Sequence, residues 1–249
     1  MTISVVTPTL NTAATIRKTL ESVVVQTYPI SEYILVDGNS TDQTLNIVHE
    51  FSNRLSLKVV TQDPSGVYAA MNAGIRVVTG DVVCILNGDD YFYTDEVIAK
   101  VASAFKQNPE ADIVYGDIVY RNPVAGTMSR QWRPGGFSLK KMYRGWSMPH
   151  PAVFVRRSLY EKVGLFNETF RIAGDYEIMV RWLLVHGVKT VYIPETLVVM
   201  NPSGISGGSL RARRQGWNEL RRAWEVNGLQ PPFAFILRRL FFKLHQFVF

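Results

Sequence analysis

The chain has 249 residues, 47% hydrophobic and 19% charged, which suits one large globular domain and excludes a disordered chain. A single cysteine, Cys84, rules out an internal disulfide. The net charge of +6 is confined to one end: residues 209–249 carry eight Lys and Arg against Glu219 and Glu225, while residues 1–208 are balanced. The N-terminus opens on a strand-like run with no basic stretch or apolar core before it, so no secretory signal is expected and a cytoplasmic setting is.

Taken in chain order, residues 3–8, 33–36, 57–61 and 81–86 read as strands. Helical patterns lie between them at 12–26, 41–51 and 67–78. In the first, Ile16, Leu20, Val23 and Val24 recur at helical spacing. Asn11 and Thr41 stand where helix N-caps are expected. A helix at 94–105 and a strand at 113–120 continue the alternation, which predicts a mostly parallel sheet with ligands at the strands' carboxyl ends. Beyond residue 121 the rhythm loosens into a loop, then strands at 127–132 and 152–155, a helix at 176–186, and strands at 190–193 and 197–200. The Gly- and Ser-rich run 201–209 reads as a mobile loop. In the final segment, 233–249, Phe233, Ile236, Leu237, Leu240, Phe241, Leu244 and Val248 share one helical face, with Arg238, Arg239 and Lys243 mostly opposite. The segment is too short and too charged to span a bilayer, and an interfacial helix is expected. A helix docked on the domain itself, or a dimer contact, is the other reading.

The chemistry is signalled by carboxylates at strand ends. Asp37 follows Ile34-Leu35-Val36, Asp63 follows Val59-Val60-Thr61-Gln62, and Asp89 with Asp90 follows the fourth strand. Parallel strands place all their carboxyl ends on one edge, so these four acids should gather there. Two adjacent acids repel one another, and a hard divalent cation shared with substrate phosphates relieves the repulsion. No glycine fingerprint follows the first strand and no Walker-type loop exists, so phosphates would need a metal or basic side chains. Arg211, Arg213 and Arg214, after Gly207-Gly208, could supply the latter; a solvated helix face or a lipid contact is their other reading.

Five motifs now stand in order: Thr7-Pro8-Thr9-Leu10-Asn11, Val36-Asp37-Gly38-Asn39-Ser40-Thr41-Asp42, Asp63-Pro64-Ser65-Gly66-Val67-Tyr68-Ala69-Ala70-Met71-Asn72-Ala73-Gly74, Leu86-Asn87-Gly88-Asp89-Asp90 and Ala173-Gly174-Asp175-Tyr176. With them the chain resembles the family 2 inverting glycosyltransferases of the GT-A fold, especially the bacterial cell-surface polysaccharide group. The resemblance implies a Rossmann-like α/β domain over 1–208, with 209–249 as a basic helical extension. It implies a nucleoside-diphosphate sugar donor, a UDP-sugar by default, and Mn²⁺ or Mg²⁺ as cofactor. Pro8, Thr9, Asn11, Asp37, Asp63, Gly66, Met71, Asn72 and Asp89 would line the donor site. Asp90, with Asp89, would bind the metal, and Asp175 would be the general base. His150 matches a Pro-His segment of the subgroup and, with Arg211 and Arg214, could meet the acceptor or diphosphate.

Ala69 and Ala73 replace an acid and a lysine common in relatives, and Asn87 replaces the first acid of the stricter Asp-x-Asp form. The processive Gln-x-x-Arg-Trp signature is absent, which implies transfer of one sugar. The expected acceptor is a lipid-linked saccharide on the inner face of the cell membrane, met through residues 233–249. Two rivals are a sugar-phosphate nucleotidylyltransferase, which lacks its glycine- and arginine-rich opening here, and a non-catalytic module with a basic tail. Nucleic acid is not expected, because the Phe/Leu stripe fits a lipid or protein surface better than a base-stacking platform.

Overall fold

The computed structural model describes residues 1–63, 65–121, 127–201 and 210–244. Its first half alternates strand and helix: β1 (Ile3–Thr9), α1 (Ile16–Val24), β2 (Glu32–Asp37), α2 (Thr44–His49), β3 (Leu57–Thr61), α3 (Val67–Val77) and β4 (Val82–Ile85). There follow β5 (Tyr91–Phe92), α4 (Val97–Gln107), β6 (Ile113–Arg121), β7 (Met128–Trp132), α5 (Leu139–Met142), β8 (Val153–Arg156) and α6 (Arg157–Val163). The chain continues through α7 (Gly174–Val180), β9 (Thr190–Met200), α8 (Leu210–Glu225) and α9 (Phe235–Leu244).

All described strands join one sheet in the order β3-β2-β1-β4-β8-β6-β9-β5, with β7 beside β6. The β3, β2, β1 and β4 run is parallel. Because β8 is antiparallel to both β4 and β6, strand β6 runs with β4, and β9 runs with β6. Six strands therefore end on the same edge, including two that lie far along the chain from the first four.

The alternation of side chains sorts the core into two layers. Val6, Ile34, Val36, Ile85 and Tyr115 face a cluster that contains α3, α7 and α8 residues. Val5, Leu35, Cys84, Leu86 and Val114 face a second cluster covered by α1 and α4. Cys84 behaves as the small buried hydrophobe expected of it, and burial pushes its thiol far up. Helix α3 lies close on the sheet because Gly74 has no side chain: a Cβ there would stand 2.3 Å from Val6 Cγ1. Gly74→Ala is expected to cost about 1–3 kcal/mol by overpacking, lowering the melting temperature by roughly 2–4 °C for each kcal/mol. A thermal melt checks it.

Several local expectations are corrected. Asn11 is not a helix cap: it sits in the left-handed region at φ 52°, and its side-chain oxygen accepts from the backbone N–H of Thr41 at 2.9 Å. Helix α1 starts later, at Ile16. Thr41 does not cap α2 either. Asp42 accepts from the Thr44 amide at 3.0 Å, a local turn that moves the helix start to Thr44. Strands 190–193 and 197–200 are one strand, β9, whose extra residues are absorbed by register shifts opposite Tyr115, Asp117 and Ile118. Helix α7 begins at Gly174, so Asp175 lies inside its first turn. The loop expected at 201–209 lies outside the described residues after Asn201.

The C-terminal helices are built into the domain. Ala223 and Trp224 of α8 and Phe235 of α9 are buried in the same cluster as the sheet face. The α9 faces are not those expected. Phe235 packs on Trp224 and Tyr176, and Arg239, expected on the polar side, lies 4.5 Å over the Tyr176 ring and bonds to Gly145 O and Ser147 Oγ. Ile236 is partly buried, while Phe233 and Leu237 are 90% and 63% exposed and Leu240 is exposed with them. The side chains of Phe241, Leu244 and Val248 lie outside the described residues.

Candidate active site

The shared strand edge gathers the acids that the sequence scatters. Asp37 ends β2 and is 1% exposed. Its Oδ2 accepts from the Ser40 amide at 2.9 Å, and its buried Oδ1 has no partner among the described residues. Asn39, left-handed at φ 63°, donates from its side chain to Asp63 Oδ1 at 3.2 Å, linking the ends of β2 and β3. Beside them, Thr9 at the end of β1 accepts through its carbonyl from the Gly38 amide at 2.9 Å, next to Pro8, which is paired with Val36. The Asn11 backbone N–H donates to Ser40 Oγ at 2.9 Å. Gly66, exposed at φ 107°, opens α3.

The acid pair splits into two environments. Asp90 is 1% exposed; Asn87 Nδ2 donates to its Oδ2 at 2.9 Å and the Asn201 amide to its Oδ1 at 3.3 Å. Burial first, and the Asp89 carboxylate second, push Asp90 up to about 8. Asp89 is less enclosed, and burial raises it too. Both oxygens of Asp90, expected as a metal ligand, are thus already bonded to protein donors, whereas Asp89 is the more accessible of the two. No group of three or more His, Cys, Asp or Glu among the described residues could hold a metal ion. One or two carboxylates suffice when phosphate oxygens complete the shell of a hard divalent cation. The pair fits an ion shared with a diphosphate.

Asp175 approaches from the other half of the chain. Its Oδ1 accepts from the Tyr176 amide at 2.8 Å and lies 3.5 Å from the Tyr68 hydroxyl. Tyr120, at the end of β6, is within electrostatic reach of both Asp90 and Asp175. The close approach needs Gly174, since a Cβ there would sit 2.8 Å from the Tyr68 ring. His150 is buried, edge-on to Phe166 at 5.5 Å between ring centres. Burial draws its pKa down, with Asp175 acting weakly in the opposite sense.

Two residues expected to touch the donor are committed elsewhere. Met71 is buried in the core. Asn72 donates to Phe166 O at 2.9 Å and Glu168 Oε1 at 2.8 Å and accepts from the Phe166 amide at 2.9 Å, three bonds that use both its donors and tie α3 to the 166–168 loop. Arg214 is exposed on α8, and the side chain of Arg211 and the Gly207-Gly208 turn lie outside the described residues. The sequence reading did not single out Tyr120 or assign Tyr68 a role. Tyr120 carries no motif, and only the parallel run of β6 beside β9 brings it to the edge.

The model of the Glycosyl transferase family 2 matches residues 4–164. A "PGL/p-HBAD biosynthesis glycosyltransferase" of Mycobacterium bovis is 33% identical over 204 residues, 81% of this chain and 77% of that protein. Glycosyltransferase AglE of Haloferax volcanii is 31% identical over 70% of this chain and 58% of its own length. Among solved structures, S. aureus TarS 1-349 in complex with UDP-GlcNAc has a TM-score of 0.70 at 19% identity, covering 97% of this chain and 73% of that one. The Pyrobaculum calidifontis mannosyltransferase PcManGT, in complex with GDP-Man and Mn²⁺, has a TM-score of 0.68 at 21% identity, with 97% and 70% covered. The longer TarS chain is covered over only 43% of its length. The sheet is that of the expected GT-A fold. With the family model spanning more than half its length, and a relative one-third identical over four-fifths of it, this chain belongs to glycosyl transferase family 2 and is a glycosyltransferase.

Proposed function

We propose that the protein transfers one sugar from a nucleoside-diphosphate sugar to an acceptor hydroxyl with inversion, as a metal-dependent, non-processive enzyme of bacterial surface polysaccharide assembly. The observation that carries the reading is that Asp37 and the Asp89–Asp90 pair follow β2 and β4, which lie parallel on either side of β1 and so end on one edge, with Asp37 Oδ1 buried and unpaired among the described residues. A buried acceptor without a donor costs about 1–3 kcal/mol, and an imide-type N–H of a nucleobase would satisfy it. Uracil and guanine both offer such a donor, with UDP the default, and the UDP-GlcNAc of the TarS complex and the GDP-Man of the PcManGT complex are of these two kinds. Pro8, Thr9, Asn11, Asp63 and Gly66 would form the rest of the nucleotide cleft.

Asp89 faces the diphosphate and Asp90 steadies that turn. A bound Mn²⁺ or Mg²⁺ would offset charge on the departing diphosphate. Asp175 has Oδ1 engaged by the Tyr176 amide, so Oδ2 receives the acceptor proton. As the hydroxyl oxygen bonds to the anomeric carbon from the opposite face, the bond to the diphosphate oxygen breaks and the configuration inverts. His150, buried beside Asp175 and kept neutral, borders the acceptor side; Arg214 is left for a longer acceptor or for lipid.

A thermal-shift series with UDP, GDP and other nucleoside diphosphates, each with and without Mn²⁺, tests the reading. One nucleotide is expected to stabilise the protein selectively and more strongly with the ion. A flat response to all of them overturns it.

The acceptor is proposed to be lipid-linked, reached by peripheral contact through α9. No helix among the described residues is long and apolar enough to cross a membrane. The exposed Phe233, Leu237 and Leu240, with the exposed Arg238 next to Leu237 in the chain, suit an anionic interface. Because Trp224 and Phe235 belong to the core, point substitution is the sound test and truncation is not. Phe233→Glu with Leu237→Glu is expected to abolish flotation on phosphatidylglycerol vesicles while leaving the melting temperature unchanged; undiminished flotation removes the membrane claim.

A further inference from the structure

Glu219 lies on α8, in a segment where only two acids face eight basic residues. It is 7% exposed, and among the described residues no ion pair joins it to any of those cations. Its carboxylate turns instead toward three consecutive backbone amides. Oε2 accepts from Ile172 N at 2.7 Å, from Ala173 N at 2.9 Å and from Arg171 N at 3.2 Å; Oε1 accepts from Arg171 N at 3.2 Å and from Gln215 Nε2 at 2.9 Å. These amides lead directly into α7, two residues before Asp175. Ala173 stands at the N-cap position of that helix and has no side-chain oxygen to offer the backbone. Its own backbone N–H, the donor that a capping-box acid would otherwise take, goes instead to a carboxylate from another helix, close to the helix end where negative charge is favoured.

The same loop is held at other points. The Tyr68 hydroxyl donates to Ile172 O at 2.9 Å. Arg222, one turn along α8, donates to Thr169 Oγ1 at 2.6 Å and covers the Phe170 ring at 4.6 Å. Glu219 is the only one of these groups that bonds the amides on the approach to Asp175.

We propose that Glu219 is a positioning residue for the base: it fixes the approach of the chain into α7 and thereby aims Asp175 at the acceptor hydroxyl. This rests on the reading of Asp175 as the base. Charge-assisted hydrogen bonds are about twice as strong as neutral ones, and small displacements of a catalytic group can cost on the order of 10²-fold in rate. The family model ends at residue 164, so both Asp175 and its holder lie beyond it.

The test is a double-variant cycle on the full chain, reading nucleoside diphosphate release from UDP-GlcNAc or GDP-mannose, whichever nucleotide stabilises the protein, with Mn²⁺. Glu219→Gln keeps the shape and one acceptor oxygen. It is expected to slow release roughly 10–100-fold with nucleotide affinity unchanged. Asp175→Asn combined with Glu219→Gln is expected to be no slower than Asp175→Asn alone, because the two act as one unit. Equal slowing in both backgrounds, or a wild-type rate for Glu219→Gln, overturns the positioning role while leaving the base assignment standing. A wild-type rate for Asp175→Asn overturns both. Should Glu219→Gln fail to fold, amide exchange in the unaltered protein decides: residues 171–173 are expected to be strongly protected for a surface loop, and rapid exchange there rejects the proposal.

Discussion

Asp175→Asn is expected to lower sugar transfer by roughly 10²–10⁴-fold, the range of general-base assistance, while nucleotide affinity and melting temperature stay as they were. The substitution keeps the size of the side chain. Its oxygen can still accept from the Tyr176 amide, now made at 2.8 Å, so the first turn of α7 has no reason to shift. What is lost is the second oxygen as a proton acceptor. The proposed donor cleft rests on the turns after β1 and β2, and the hydrogen bonds that tie Asn11, Asp37, Asn39, Ser40, Thr41 and Asp63 together there do not involve Asp175. Steady-state rates with saturating donor, set beside nucleotide titrations, separate the outcomes. A joint fall in rate and affinity would assign Asp175 a structural task; an unchanged rate would remove it from the chemistry.

The second large effect is expected at Asp89. Asp89→Asn should erase the Mn²⁺-dependent part of nucleotide stabilisation and reduce transfer to background. A ligand at about 100 times its Kd stabilises by about 2.7 kcal/mol; at roughly 2–4 °C per kcal/mol for a chain of this size, a shift of roughly 5–10 °C is at stake. Asp89 is chosen over Asp90 because both oxygens of the latter already take protein donors. A retained Mn²⁺-dependent shift in Asp89→Asn would place the ion elsewhere. Melting curves with nucleotide, with and without Mn²⁺, read the result directly.

The gathering of strand-end acids on one edge was legible because its signals are local. Each of β1 to β4 ends in a short polar turn, and a parallel arrangement obliges those turns to share an edge, whatever the details of packing. Asp37, Asp63 and Asp89 could therefore be named from run length and turn chemistry alone. Boundaries were less legible. Asn11 and Thr41 look like caps, yet they bond one another across the β1 and β2 turns, a pairing that sequence neighbours do not reveal. Asn72 sits in a motif and still serves the fold, because its amide finds a matching backbone only in the 166–168 loop.

By itself, the order of residues determined the alternation of strand and helix, the edge on which acids collect, and a charged, Phe-rich end distinct in composition from the rest. Only the tertiary structure decided how that end is used. Phe235 and Arg239 turn inward and Phe233 and Leu237 outward, since the helix face that docks is chosen by Trp224, Tyr176 and the Gly145 carbonyl. Glu219 meets the approach to Asp175 for the same reason. Apart from the Trp224–Phe235 pair, such contacts join positions some 46 to 94 residues apart, and no local periodicity encodes a partner at that distance.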